Sequence, residues 1–297
     1  MPSIHVEIIF NSNDYNDYKN FYTNFSQIGE GAFGKIYKAK MIFGNTYRAI
    51  KIIDKEKIKN LLRNQLMKEN IDNEFKLYFQ HFLNEIEYMK ICCKDNINSV
   101  KLYEYFDTEK ELAIVMELCD ESLQSILNKK INGFNKEEIY DMINQLNNTF
   151  KIMNKNHIIH RDLKLDNILV KYTDNTKTKF ILKLSDYGLS KQLASLSKLC
   201  NTHAGTLLTM APEIINDEEY NDKCDLWSLG IIIYQMCFKQ YPYNSNTEMG
   251  LIKQINNFGQ KLLKKTNDKK LDYLINKLLI KEPKMRISWD EYFSIFK

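Results

Sequence analysis

The stretch IIHRDLKLDNILV, Ile158–Val170, sets an acid (Asp162), a cation (Lys164) and an amide (Asn167) within six positions. It follows the helical pattern KEEIYDMINQLNNTFKIMNK and runs into a short apolar segment, Ile168–Lys171, that reads as a strand. A turn between a helix and a strand holds polar side chains on a rigid frame. A purely structural role, with His160 and Asp162 capping a helix, explains neither Lys164 nor Asn167.

Toward the N-terminus the chain carries five runs with the length and β-branched or aromatic enrichment of strands: Phe21–Gln27, Lys35–Met41, Thr46–Ile53, Val100–Phe106 and Leu112–Leu118. Between the third and fourth, Phe75, Tyr78, Phe82, Ile86 and Met89 recur at three and four residue steps, which is an amphipathic helix. From Glu121 onward the pattern is mostly helical, broken by brief strands at Ile168–Lys171 and Phe180–Leu184. A small β-rich lobe thus precedes a larger helical one, with a short hinge near Glu117–Glu121. No internal repeat or Gly/Ser linker interrupts the series.

The 297 residues, 44% hydrophobic and 12% aromatic, suffice for substantial cores and exclude disorder. Forty-two basic against 38 acidic residues leave a formal charge of +4 without a concentrated patch, so nucleic acid is not implied as a partner. The opening MPSIHVEIIF lacks a basic leader, and no segment approaches the roughly 20 apolar residues of a membrane span. The expectation is an intracellular, cytoplasmic protein. Six irregularly spaced cysteines form no CxxC unit and read as reduced thiols.

The segment IGEGAFGKIY places Gly29, Gly31 and Gly34 after one predicted strand and before another. Glycines let a backbone turn tightly and offer N–H groups to phosphate oxygens without side chains in the way. Alone the spacing is weak, and a plain hairpin is the bland alternative; a dinucleotide site would open a helix, whereas Lys35–Lys40 is strand-like. Lys51 ends YRAIK inside an apolar strand, where an ammonium is costly unless partnered. A carboxylate on the following helix could pair with it. Glu85 precedes Ile86 and Met89 on the face that packs inward, while Glu87 falls on another face, so both cannot serve.

Taken in order, these segments resemble the eukaryotic protein kinase family, serine/threonine type, from about Phe21 to the C-terminus. The resemblance implies an α+β, two-lobed kinase fold: a 1–20 extension, an N-lobe over 21–118 with an insertion about 55–74, and a C-lobe over 119–297. It implies an enzyme that uses ATP and Mg2+ to phosphorylate protein substrates, with an upstream activating kinase as a possible partner; oligomeric state is left open. By resemblance Asp162 accepts the proton of the substrate hydroxyl and Lys164 offsets charge on the transferring group. Lys51 with Glu85 holds the phosphates, and Asn167 and Asp186 of SDYG hold magnesium. Ile28, Gly29, Gly31, Gly34, Ile36, Ala49, Met116, Glu117, Cys119 and Leu169 surround the nucleotide. Glu213 of the Ala-Pro-Glu segment pairs with Arg286, and Asp225 anchors the catalytic loop, caps its own helix, or does both.

Arg161 implies that a phosphate on the activation segment organises the site, with Thr202 as acceptor ahead of Ser195 and Ser197. The sequence departs from the family pattern in three places. Tyr187 stands where the family has Phe, adding a hydroxyl that needs a partner if buried. Leu207–Thr209 lacks the usual proline and aromatic. The Lys51–Glu85 separation is longer than usual, so KNLLRNQLMKENIDNEFK reads as an insertion, either a regulatory surface or an extended solvent-exposed helix. A pseudokinase scaffold is the alternative class, disfavoured because none of Lys51, Glu85, Asp162, Asn167 or Asp186 is lost. A small-molecule kinase is disfavoured by the intact Ala-Pro-Glu segment.

Overall fold

The computed structural model describes residues 17–31, 33–66, 71–187, 207–245, 247–259 and 263–296. The chain divides into two compact units, residues 1–80 with 101–118 and residues 81–100 with 119–297.

The first unit is built on an antiparallel sheet of β1 (Tyr22–Glu30), β2 (Gly34–Met41), β3 (Tyr47–Asp54), β4 (Leu102–Asp107) and β5 (Glu111–Met116) in the order β1-β2-β3-β5-β4. One face is covered by its own N-terminal approach. A 3-10 turn at Tyr18–Asn20, capped by the Asp17 side chain on Lys19 N–H, buries Tyr18 with Tyr22, Ala39, Ile50, Phe106, Ala113 and Val115. Both tyrosines keep their hydroxyls paired, Tyr18 donating to Glu111 at 2.9 Å and Tyr22 to Glu104 at 2.5 Å. Tyr18, at the end of the expected 1–20 extension, is thus a core residue, only 2% exposed.

The expected insertion forms α1 (Lys55–Leu66), and α2 (Ile71–Cys93) follows it. On α1 Ile58 and Leu62 are fully buried while Glu56, Lys57, Asn60, Arg63 and Asn64 are exposed, so the helix has one packed face and one solvent face. Lys55 pins the start of α1, with its ammonium 2.5 Å from both the Asp107 carboxylate and the Thr108 carbonyl.

The second unit holds the part of α2 from His81 onward, where Phe82, Ile86, Met89 and Cys92 are buried. It continues with β6 (Glu121–Ser122), α3 (Leu123–Lys129), α4 (Lys136–Lys155), β7 (Ile168–Tyr172) and β8 (Phe180–Leu184). After these come α5 (Pro212–Ile215), α6 (Lys223–Phe238), α7 (Glu248–Asn256), α8 (Lys269–Leu278) and α9 (Trp289–Ser294). Asn135 opens α4 with a capping box, accepting from Glu138 N–H while Glu138 accepts from Asn135 N–H. Helix α6 is buried on every side from Cys224 to Met236 and mostly apolar, as a central helix is, with Asp225, Ser228 and Gln235 its buried polar residues. At Gly230 a Cβ would stand 2.8 Å from Leu278 and Leu279, so glycine lets α8 lie close. The three-stranded sheet β6-β7-β8 includes β6, too short for the sequence to signal, and its central strand β7 takes up the chain directly after the Ile158–Asn167 turn.

Candidate active site

Between α4 and β7 the chain turns through Ile158–Asn167, and the residues singled out there converge. The Asp162 carboxylate is 5% exposed and receives the Lys164 ammonium on both oxygens, at 3.0 and 2.8 Å. Asn167 donates both amide hydrogens to Asp162, one to its carbonyl at 2.8 Å and one to Oδ2 at 2.9 Å. That fixes the orientation of the amide and leaves Oδ1 as its remaining polar atom. The loop is tied down from α6. Asp225 accepts from His160 N–H at 2.7 Å and from Arg161 N–H at 2.8 Å. Burial pushes the Asp225 carboxyl above its usual range, against the pull of His160 and these donors. The cap position of α6 is Asp222, so Asp225 serves the loop and not its own helix.

Asp186 follows β8 with φ 57°, a left-handed backbone unusual for a residue with a side chain. Ser185 before it donates N–H and hydroxyl to the Asn167 carbonyl, both at 3.0 Å, and its own carbonyl accepts from His160 Nε2 at 2.8 Å. Asp186 and Asn167 are thus set by one hydrogen-bonded unit. Their oxygens are the donors that a hard divalent cation such as magnesium takes, so the residues fit that ion. Tyr187 is fully buried, and its hydroxyl donates to Ser99 Oγ at 2.7 Å. Burial pushes that hydroxyl well above the usual phenol range. The sequence calls for such a partner without pointing to it, because Ser99 lies 88 positions away in the chain.

In the first unit, strand register gathers a second set. Ile36 pairs with Gly29 and with Lys51, and Ala49 pairs with Met116, which puts these five on one face of the sheet. Ile28 sits at a register shift in β1 and is half exposed. The three glycines differ. A Cβ on Gly34 would lie 1.9 Å from the Ile52 carbonyl oxygen, so β3 requires glycine there. At Gly29 and Gly31 the nearest atoms would be 3.6 and 3.8 Å away, ordinary contacts, so packing does not explain them. Glu117 donates its N–H to the Lys101 carbonyl, at 2.9 Å.

Glu85 belongs to the second unit and is buried on α2; Glu87 is exposed and pairs with Lys90 at 2.7 Å. Cys119 and Leu169 also belong to the second unit. Glu213 and Arg286 form a buried two-pronged pair, at 2.7 and 3.0 Å. Arg286 spends its other donors on the carbonyls of Lys223, Ile280 and Lys281. Arg161 has φ 67° and stacks over Tyr220 at 5.6 Å, and among the described residues its buried Nε has no hydrogen-bond partner. Thr202, Ser195 and Ser197 lie outside the described residues. Of the altered segment, the Thr209 carbonyl accepts from Ser228 at 2.8 Å and the Leu208 carbonyl from Tyr243 at 2.6 Å. Ser185 carries no signal in the sequence beyond its place beside Asp186.

The protein kinase domain family model matches residues 22–295, and the chain belongs to that family. Across 90% of its length it is 32% identical to serine/threonine-protein kinase atg1 of Dictyostelium discoideum and 31% identical to calcium-dependent protein kinase 4 of Plasmodium berghei. Serine/threonine-protein kinase 33 of Bos taurus is 31% identical over 77% of the chain. The chain spans 38%, 47% and 44% of these relatives, less than half of each. Among the described residues no helix is long and apolar enough to cross a membrane.

Proposed function

We propose that this chain is the catalytic domain of a serine/threonine protein kinase that moves the γ-phosphate of ATP to Ser and Thr hydroxyls of protein substrates. The observation that carries the reading is the Asp162 carboxylate, buried yet fixed by Lys164 and Asn167 in a loop that Asp225 anchors. A carboxylate so held can orient a hydroxyl oxygen and take its proton as the oxygen attacks. Lys164 beside it offsets negative charge where the phosphoryl group passes. Lys51, on its apolar strand, is assigned to the phosphates with Glu85, and the backbone at Gly29 and Gly31 to their oxygens. Asn167 and Asp186 would hold magnesium. Bound there, the ion neutralises the phosphate charge that repels the attacking oxygen.

The reading extends to regulation, with Thr202 as the phosphate acceptor, an upstream kinase as its donor and the Arg161 guanidinium as its receiver. Its buried Nε, without a hydrogen-bond partner among the described residues, supports that role. Dependence on ATP and a set of cysteines without disulfide spacing support an intracellular, cytoplasmic location.

The test is transfer from radiolabelled ATP to generic acceptor proteins, wild type beside Asp186→Asn, followed by phosphoamino acid analysis. Magnesium-dependent label on Ser and Thr, lost in the variant, is expected. An inert wild type would overturn the reading, as would label on tyrosine alone. Thr202→Ala should lower activity toward a peptide, and unchanged activity would remove Thr202 from the account.

A further inference from the structure

Asp186 adopts a backbone conformation that costs free energy for any residue with a Cβ, and such residues persist where their surroundings over-determine them. On the upstream side the restraint is Ser185, with three hydrogen bonds to Asn167 and His160. On the downstream side it is Tyr187. Its ring lies 5.4 Å from that of His160, and its hydroxyl donates to Ser99 at 2.7 Å. Ser99 is itself immobilised. It bridges Leu184 in parallel, with Leu184 N–H on the Asn98 carbonyl and Val100 N–H on the Leu184 carbonyl, both at 2.9 Å. The hydroxyl therefore ties the residue after Asp186 to a segment already bonded to the strand before it. A phenylalanine at 187 would supply the ring without the tie.

We propose that Tyr187 is a positioning residue whose bond to Ser99 is the downstream half of a clamp holding Asp186 in the conformation that presents its carboxylate to magnesium. The inference rests on the kinase reading for its consequence in turnover, and on geometry alone for the clamp. A single buried hydrogen bond corresponds to about fivefold in an equilibrium.

Tyr187→Phe should therefore raise the half-saturating magnesium concentration, read by fluorescent ADP-analogue binding, about fivefold. Turnover should fall by a like factor while KM for the protein acceptor is unchanged. Ser99→Ala should reproduce this, Ser99→Thr should restore it, and the double variant should be no worse than either single one. A second readout needs no turnover. Cys92 is fully buried in contact with Tyr187, and Cys224 is buried elsewhere. Release of the clamp should speed alkylation of Cys92 but not of Cys224, whereas general destabilisation would expose both. Unchanged magnesium dependence with unchanged Cys92 labelling in Tyr187→Phe overturns the proposal, as does labelling of both cysteines alike or faster turnover. An inert wild type would sink the kinase reading alone, since Cys92 labelling still reports on the clamp.

Discussion

Asp162 is surrounded by donors, so replacing it by Asn removes the charge while leaving a group of the same shape among Lys164 and Asn167. A positioned general base is worth about 100-fold to 10,000-fold in rate. Asp162→Asn should accordingly lower kcat by about 100-fold or more with little change in thermal midpoint or in KM for ATP. Steady-state kinetics with a peptide acceptor read this, and a drop below tenfold would move the proton elsewhere. The glycines separate stability from binding. Gly34→Ala forces backbone apart where β2 meets β3 and should cost about 1–3 kcal/mol in urea denaturation, the usual penalty of overpacking. Gly29→Ala meets only Ile36 at contact distance and should leave the urea midpoint unmoved while weakening nucleotide binding. Equal effects at the two positions would refute this division.

At the scale of elements, α1 decides between a packed helix and a solvated one. Leu62 is fully buried on it, and Leu62→Ala should cost about 2–5 kcal/mol, against under about 0.5 kcal/mol for a surface position. Loss measured by urea denaturation at the lower figure would return α1 to solvent. The junction of β6, α3 and β7 is held by Glu121, which accepts from Ser125 and Tyr172, both at 2.7 Å, and from Lys129 at 2.5 Å. Burial raises its pKa, but the hydrogen bonds from Lys129, Ser125 and Tyr172 together bring it down to about 2. A carboxylate depressed on folding stabilises the native state above its unfolded pKa, about 4.3, and that stability is lost as pH falls toward 2. Stability of Glu121→Gln should differ from wild type above about pH 5, and the two curves should converge as the solution approaches about pH 2. Parallel curves over this range would show that Glu121 is not the titrating group.

Across the whole molecule, what the sequence disclosed was local or periodic. The Ile158–Asn167 turn, the glycine segment and the β-branched enrichment of β3 each carry their signal within a dozen positions, and all were legible. Tyr18 was not, because its burial depends on pairing with Glu111 and packing on Phe106, remote in the chain. The same holds for Ser99 under Tyr187, and for β6, whose two residues are strand only because β7 lies alongside. Glu213 and Arg286 are the instructive exception, a contact across 73 positions that resemblance supplied and no local pattern could. Breaking a buried pair by removing one partner costs about 3–5 kcal/mol, because the other charge stays desolvated. The two ends are unequal here. Glu213→Leu leaves a guanidinium still bonded to three carbonyls, whereas Arg286→Met strands the carboxylate and frees those three acceptors together. Arg286→Met should therefore be the more damaging single change in urea denaturation. The double variant should cost less than the sum of the singles, since it removes both charges at once. A larger loss for Glu213→Leu, or strict additivity, would mean that the carbonyl contacts and not the ion pair hold this part of the second unit.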